Sequence, residues 1–471
     1  MSMKLLIVCG AALSVCVCAN SLVFAQQIAS KPPTDAPKAQ QVISRIDAAT
    51  TSHIIDSLCS FGTRHTLSDA ESPTRGIGAA RRWIKQEMES YAGRLQVAFD
   101  EHDVPPMPRL PDGGKVVNVM ATLPGTMPEA AKRVVYVVGH FDTINADRMD
   151  PKGDAPGAND DASGTAVAIS CAKALANEKL DATVVFLCTA GEEQGLVGAT
   201  MHANALKSQG LYDCVWVLNN DIVGDNSVPM KLPAEVTSSK DAKNPLANPM
   251  MVRVYSESIP RTASAEQYAK IRQNSADADS TSRQLARYMV DVSHRESTRA
   301  VPVMMYRPDR FLRGGDHSAF NDAGFSAIRC SVPAEDYTRQ HVNVTEQDGK
   351  RYGDIPEFVQ HEYLSGIAQL NVATIVHLAN APTPPSNVRL VTAKLEQDTV
   401  VRWNKSPEPD VAGYEVVWRE TTSPTWTYSR YVGDATECRL ELSKDNFFVG
   451  VRAIDKDGYV SPVGFAWASQ E

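Results

Sequence analysis

Short runs rich in β-branched and aromatic residues recur between residues 116 and 330, and between them apolar positions fall three and four apart. The runs are Val116–Met120, Val134–Val138, Val184–Leu187 and Val215–Leu218, then Val252–Tyr255, Val303–Tyr306 and Ala327–Cys330. A strand apolar on successive positions is buried on both faces, as in the centre of a parallel sheet. The intervening segments, Arg81–Tyr91 and Gly164–Ala176 among them, carry the period of a helix. This alternation predicts an α/β domain with a mixed, mainly parallel central sheet flanked by helices.

The pattern changes at both ends. Helical periodicity starts at Asp47, whereas residues 26–45 are rich in Gln, Ala, Pro and Lys and read as a flexible leader. Ala379–Ser386 (ANAPTPPS) reads as a Pro-rich hinge. Beyond it Val400–Trp403, Tyr414–Trp418 and Phe447–Ala453 alternate inward and outward, with turns at Pro407–Asp410 and Asp455–Gly458. Short alternating strands of this kind predict a small β-sandwich with Trp403, Tyr414 and Val451 in its core. The expected plan is an α/β domain over residues 46–380, a linker over 381–386 and an all-β domain over 387–471.

Met1–Ala25 has the form of a secretory signal peptide. Lys4 gives the positive start, an apolar run follows from Leu5 to Ala19, and Val23-Phe24-Ala25 offers a cleavage point before Gln26. Export to the periplasm or medium is expected, with no membrane insertion after cleavage. The formal net charge of −9 argues against nucleic acid or an anionic membrane as partner. Past the signal stand Cys59, Cys171, Cys188, Cys214, Cys330 and Cys438, without any CxxC pair, so thiolate metal binding is not indicated. Cys171 and Cys188 lie in apolar patterns and read as packing thiols.

Four polar clusters follow predicted strands or open a helix. His140 and Asp142 (GHFDT) come after one strand, Glu192 and Glu193 (AGEEQG) after a second, and Asp221 (NNDIVG) after a third. Asp160 and Asp161 (NDDASG) lead into the helix from Gly164. In an open α/β sheet ligands bind beyond the carboxyl ends of the strands, so these groups converge on one rim. Carboxylates gathered there repel unless a cation compensates. Imidazole with carboxylate is a zinc-type donor set, and this many donors suits two ions sharing a carboxylate. Asn226–Met250 reads as an insertion near that rim.

The order GHFDT, NDDASG, AGEEQG, NNDIVG resembles the zinc metallopeptidase family 28, an aminopeptidase-like group that also contains glutaminyl cyclases. The likeness runs from FGTRHT (Phe61–Thr66) through GGDHSAF (Gly314–Phe320) to His341. It implies two Zn2+ ions, one held by His140, Asp160 and Asp221 and the other by Asp160, Glu193 and His341. It further implies Glu192 as general base and then acid, and Asp142 as the residue that fixes the His140 ring. Asp161 is expected to shape the backbone. Both His317 and His341 are available as the last ligand, and the family's spacing favours His341. His317 and Asp316 then fall to supporting or substrate-binding roles. Gln340 stands where relatives carry a tyrosine, which leaves His317 and Tyr337 as oxyanion candidates. His53, His65, His102, His202, His294, His361 and His377 match no metal motif.

The resemblance implies an aminopeptidase acting on peptides with a free N-terminus. A glutaminyl cyclase, a binding protein on the same scaffold, and a dipeptidase or carboxypeptidase using Arg307, Arg310 or Arg313 are the alternatives. The C-terminal segment resembles a fibronectin type III domain, read as a spacer or stability module or as an attachment to a surface or polymer.

Overall fold

The computed structural model describes residues 38–232, 248–393 and 396–470, with residues 33 and 246. The expected signal peptide lies outside the described residues, as do residues 233–245 and 247 of the expected insertion. The first described elements are helices α1 (Lys38–Ile43), α2 (Ala48–Ser60) and α3 (Gly76–Ser90), then strands β1 (Gln96–Val104), β2 (Gly114–Leu123) and β3 (Arg133–His140). Next come α4 (Ala162–Leu175), β4 (Thr183–Thr189), α5 (Val197–Gln209), β5 (Cys214–Asn220) and β6 (Met251–Ser256). They are followed by α6 (Ala265–Gln273), α7 (Thr281–Glu296), β7 (Val301–Met305), α8 (Asp316–Ala323) and β8 (Ser326–Ser331). A small hairpin, β9 (Thr345–Gln347) and β10 (Lys350–Tyr352), precedes the long helix α9 (His361–Asn380).

Strands β1 to β8 form one sheet in the order β1-β2-β4-β3-β5-β8-β6-β7. The four central strands β4, β3, β5 and β8 run parallel, and β2 and β6 flank them antiparallel. Six of the seven predicted runs fall wholly in strands, and the run Val303–Tyr306 does so up to Met305. The strand missed is β1, whose QVAFDEHDV sequence sits at the sheet edge with most side chains part-exposed. Alternation in β3 divides the core. Val135 and Val137 face a cluster built on α2, α4 and α9, while Val134, Tyr136 and Val138 face α5 and α8.

The leader expectation needs correction at its C-terminal end. Ala39, Val42, Ile43 and Ile46 are buried, and α1 packs against α9 and α4, so the folded domain starts by residue 38. Their spacing is one helical face, too short beside the Pro- and Gln-rich residues to stand out. Asp47 caps α2, accepting from the Thr50 amide at 2.7 Å. The six cysteines among the described residues are free, with Cys171 and Cys188 fully buried, so the packing reading holds.

Helix α4 enters the sheet rim closely. A Cβ on Gly164 would lie 1.9 Å from the Asn220 carbonyl oxygen, and one on Gly139 would lie 2.3 Å from the Gly164 carbonyl carbon. Backbone cannot yield as a side-chain tip can. Gly164→Ala is therefore expected to destabilise the domain by about 3 kcal/mol; an unchanged thermal midpoint would contradict this packing.

The C-terminal strands are β11 (Ser386–Val391), β12 (Thr399–Asn404), β13 (Val411–Glu420), β14 (Tyr428–Gly433), β15 (Glu437–Leu440), β16 (Phe447–Asp455), β17 (Gly464–Phe465) and β18 (Trp467–Ser469). They form two four-stranded sheets, β15-β12-β11-β18 and β14-β13-β16-β17. Trp403 and Cys438 from one sheet meet Tyr414 and Val451 from the other in a common core, as the alternation predicts. The segment before them is a boundary but not a hinge. Ala381 and Pro382 are buried, and Glu408 accepts from the Thr383 amide and hydroxyl at 2.9 and 2.5 Å. Proline richness signals a break in secondary structure; it does not report what packs against it.

Candidate metal centre

Because β4, β3, β5 and β8 are parallel, their following loops emerge on the same rim. His140 is the last residue of β3, Asp221 follows β5, and the loop after β4 carries Glu192 and Glu193. The long loop after β8 carries His341. It is anchored by Arg339, which donates to Asp225 at 2.5 Å and stacks on the Phe358 ring. Asp160 immediately precedes Asp161, the N-cap of α4, across a cis peptide bond.

Asp160 stands between the two histidines. Its Oδ1 is 3.1 Å from His140 Nε2, and its Oδ2 is 2.9 Å from His341 Nε2. The same His341 nitrogen is 2.8 Å from Glu193 Oε1. His140 gives its Nδ1 proton to the Asp142 carbonyl oxygen at 3.1 Å, which aims Nε2 at Asp160. Donor atoms of His140, Glu192 and Asp221 lie within 4.8 Å of one another, as do those of Asp160, Glu193 and His341. The six residues expected from the sequence are thus brought together.

The electrostatics call for a cation. Burial alone would discharge the His341 ring, yet Glu193 and Asp160 push its pKa up to about 11. Burial raises the Glu192 carboxyl well above the usual range; His140 opposes this, and Glu193, Asp221 and Asp316 add to it. A cavity that holds protons on buried imidazoles and carboxylates stabilises positive charge, and this donor set fits zinc.

Supporting residues complete the frame. The buried Asp142 carboxylate accepts from the amides of Glu192 and Glu193 at 3.1 and 3.2 Å, so it fixes their loop, while its carbonyl rather than its carboxylate fixes His140. Asp161 accepts from the amides of Gly164 and His140, the backbone role expected of it. Asp316 opens α8 and accepts from the Thr189 hydroxyl; burial pushes its pKa up to about 7.

The two oxyanion candidates are corrected. His317 is fully buried with Nε2 2.8 Å from the Pro308 carbonyl, and Tyr337 is 66% exposed; neither lines the cleft. Gln340 does, and its amide donates to Asp160 Oδ2 at 2.9 Å.

Three further groups escaped the sequence reading. Arg329, fully buried, donates to Asp221 Oδ1 at 2.7 Å and to Asp309 at 2.9 Å. Asp354 accepts from the amides of Asn159 and Asp160, both at 2.7 Å. Arg64 binds the carbonyls of Phe141 and Gly157. An arginine inside the apolar run SAIRCS was a signal for Arg329; Asp354 gave none.

The cleft above the centre has a volume of about 350 Å³. Its floor is acidic and its rim carries Arg109, Arg148, Leu312 and Arg313. A larger groove of about 690 Å³ lies between the two domains and contains none of these groups.

Residues 118–354 match peptidase family M28. A probable zinc metalloprotease of Leptosphaeria maculans is 40% identical over 434 residues, covering 91% of this chain and 97% of that one. Another from Pyricularia oryzae is 40% identical over 433 residues, covering 90% and 83%. The crystal structure of the LapA aminopeptidase of Legionella pneumophila aligns over 75% of this chain and 78% of that one, with TM-score 0.49 and 15% identity, a likeness that adds nothing to the assignment. With the family model matching residues 118–354 and relatives 40% identical over more than four fifths of their own length, the chain belongs to peptidase family M28.

Proposed function

We propose that the protein is an exported two-zinc aminopeptidase. The observation that carries this reading is Asp160, whose two oxygens each face one histidine within a cleft that also exposes Glu192. His140, Asp160 and Asp221 would hold one ion, and Asp160, Glu193 and His341 the other. Zinc in such a site supplies Lewis-acid polarisation of a carbonyl and acidification of water.

The remaining work falls to the protein. Glu192 neighbours a ligand without being needed as one, so its carboxylate can take the proton of the attacking water and return it to the leaving amine. Asp142 holds the amides of Glu192 and Glu193 and thereby sets where that carboxylate points. The acidic floor attracts the ammonium group of a peptide N-terminus, which supports exopeptidase over endopeptidase action. Chelation is expected to abolish hydrolysis of aminoacyl p-nitroanilides, and added zinc to restore it, with the N-acetylated substrates inert throughout. Equal turnover of the acetylated series would refute the aminopeptidase reading.

A second reading rests on the rim. Arg307 stacks on Phe311 outside the cleft, and Arg310 is tied to Asp309 and Glu335. Arg313 lines the cleft beside Arg148, where a substrate carboxylate would be met. A dipeptidase would hydrolyse free dipeptides and spare their C-terminal amides, which separates the two. Export rests on the form of residues 1–25. The fibronectin-type reading of the C-terminal sandwich rests on its two four-stranded sheets around Trp403 and Tyr414.

A further inference from the structure

A second group of metal-type donors lies apart from the cleft. Asp100 and His102 sit two residues apart on β1 and share one face of the strand. Helix α5 brings His202 against them. Asp100 Oδ2 is 2.9 Å from His102 Nε2 and 2.9 Å from His202 Nδ1. The donor atoms of all three lie within 4.8 Å of one another. These are the spacings of the cleft's own cluster, where His341 Nε2 stands 2.8 and 2.9 Å from Glu193 and Asp160. None of the three residues lines the cleft.

The surroundings orient these donors as a ligand shell does. His202 Nε2 is 3.2 Å from the Tyr136 hydroxyl, a contact that fixes the ring with Nδ1 facing the cluster. Asn118, fully buried and directly opposite Asp100 on β2, donates to Asp100 Oδ2 at 2.8 Å. Asn118 is itself fixed by the Ala190 amide at 3.0 Å and the Gly198 carbonyl at 3.2 Å.

A carboxylate that merely tethered two rings could offer one oxygen to each. Here His102, His202 and Asn118 all converge on the single atom Oδ2. The side chains keep 19%, 11% and 9% exposure for Asp100, His102 and His202, which leaves an approach from solvent.

We propose that Asp100, His102 and His202 form a separate cation site that clamps edge strand β1 to α5. Two imidazoles and one carboxylate select Zn2+, Co2+ or Ni2+ over Ca2+ and Mg2+, with the fourth position open to water. The site does not depend on how many ions the cleft holds.

The test strips the full mature chain with a chelator, equilibrates it with Zn2+ alone at micromolar concentration, and measures bound zinc per chain. His102→Ala and Asp100→Asn are each expected to bind about one ion fewer than wild type, with amide hydrolysis by His102→Ala unchanged. The same loss is expected when His102→Ala is placed in a His341→Ala background, where the cleft is already impaired. In that background zinc should raise the thermal midpoint of the chain with His102 intact by more than that of the double variant. Equal zinc content with and without His102, in both backgrounds, would overturn the proposal whatever the cleft is found to bind.

Discussion

Glu192→Gln is expected to lower kcat for aminoacyl amide hydrolysis by about a thousandfold while bound zinc stays at the wild-type level. Glutamine keeps the size and one hydrogen-bonding oxygen but cannot accept and return a proton. The proposed ligands His140, Asp160, Glu193, Asp221 and His341 are untouched, and the zinc measurement separates loss of the base from loss of metal. Asp142 holds the backbone amides of Glu192 and Glu193, not their side chains, so the loop keeps its course in the variant. Glu193→Gln should behave differently. It removes a charge 2.8 Å from His341 Nε2 and should reduce metal content together with activity. If Glu192→Gln kept near-normal kcat, proton transfer would have to be assigned to another group and the proposed mechanism would fail.

Glu408→Ala is expected to destabilise the whole chain by about 3–5 kcal/mol, although it lies in the C-terminal sandwich and far from the cleft. Its partner Arg133 starts β3, and both side chains are 1% exposed with Nε and Oε1 3.2 Å apart. Removing the carboxylate leaves a guanidinium buried without its counter-charge, and it also frees the Thr383 amide and hydroxyl. The loss should appear as a lower thermal midpoint for the peptidase domain as well as the sandwich. A midpoint equal to wild type would show that the ion pair contributes little.

The same contacts change the picture of the C-terminal domain. Arg419 reaches Asp279 at 2.7 Å beside Arg287, the Tyr288 hydroxyl donates to the Val460 carbonyl, and Tyr459 packs edge-on to His377. A freely swinging spacer makes no such buried bonds. Of the roles weighed from the sequence, the stability module fits these contacts, and truncation at Pro384 would strip α7 and α9 of cover.

Residue pattern alone determined the α/β class, seven of the eight strands of the large sheet, the boundary near residue 381 and the placing of His140, Asp160, Glu192, Glu193 and Asp221 at one rim. Each of these follows from local spacing, or from polar residues placed just after apolar runs, and parallel strands carry such residues to a common rim. Three-dimensional packing decided the rest. That Arg329 neutralises Asp221 across 108 positions and that His202 meets Asp100 across 102 positions are facts about distant residues. Their sequence spacing has no period to betray them. The direction of a side chain within a strand or loop, and the burial that sets its charge, exist only once the sheet and its helices have closed around it.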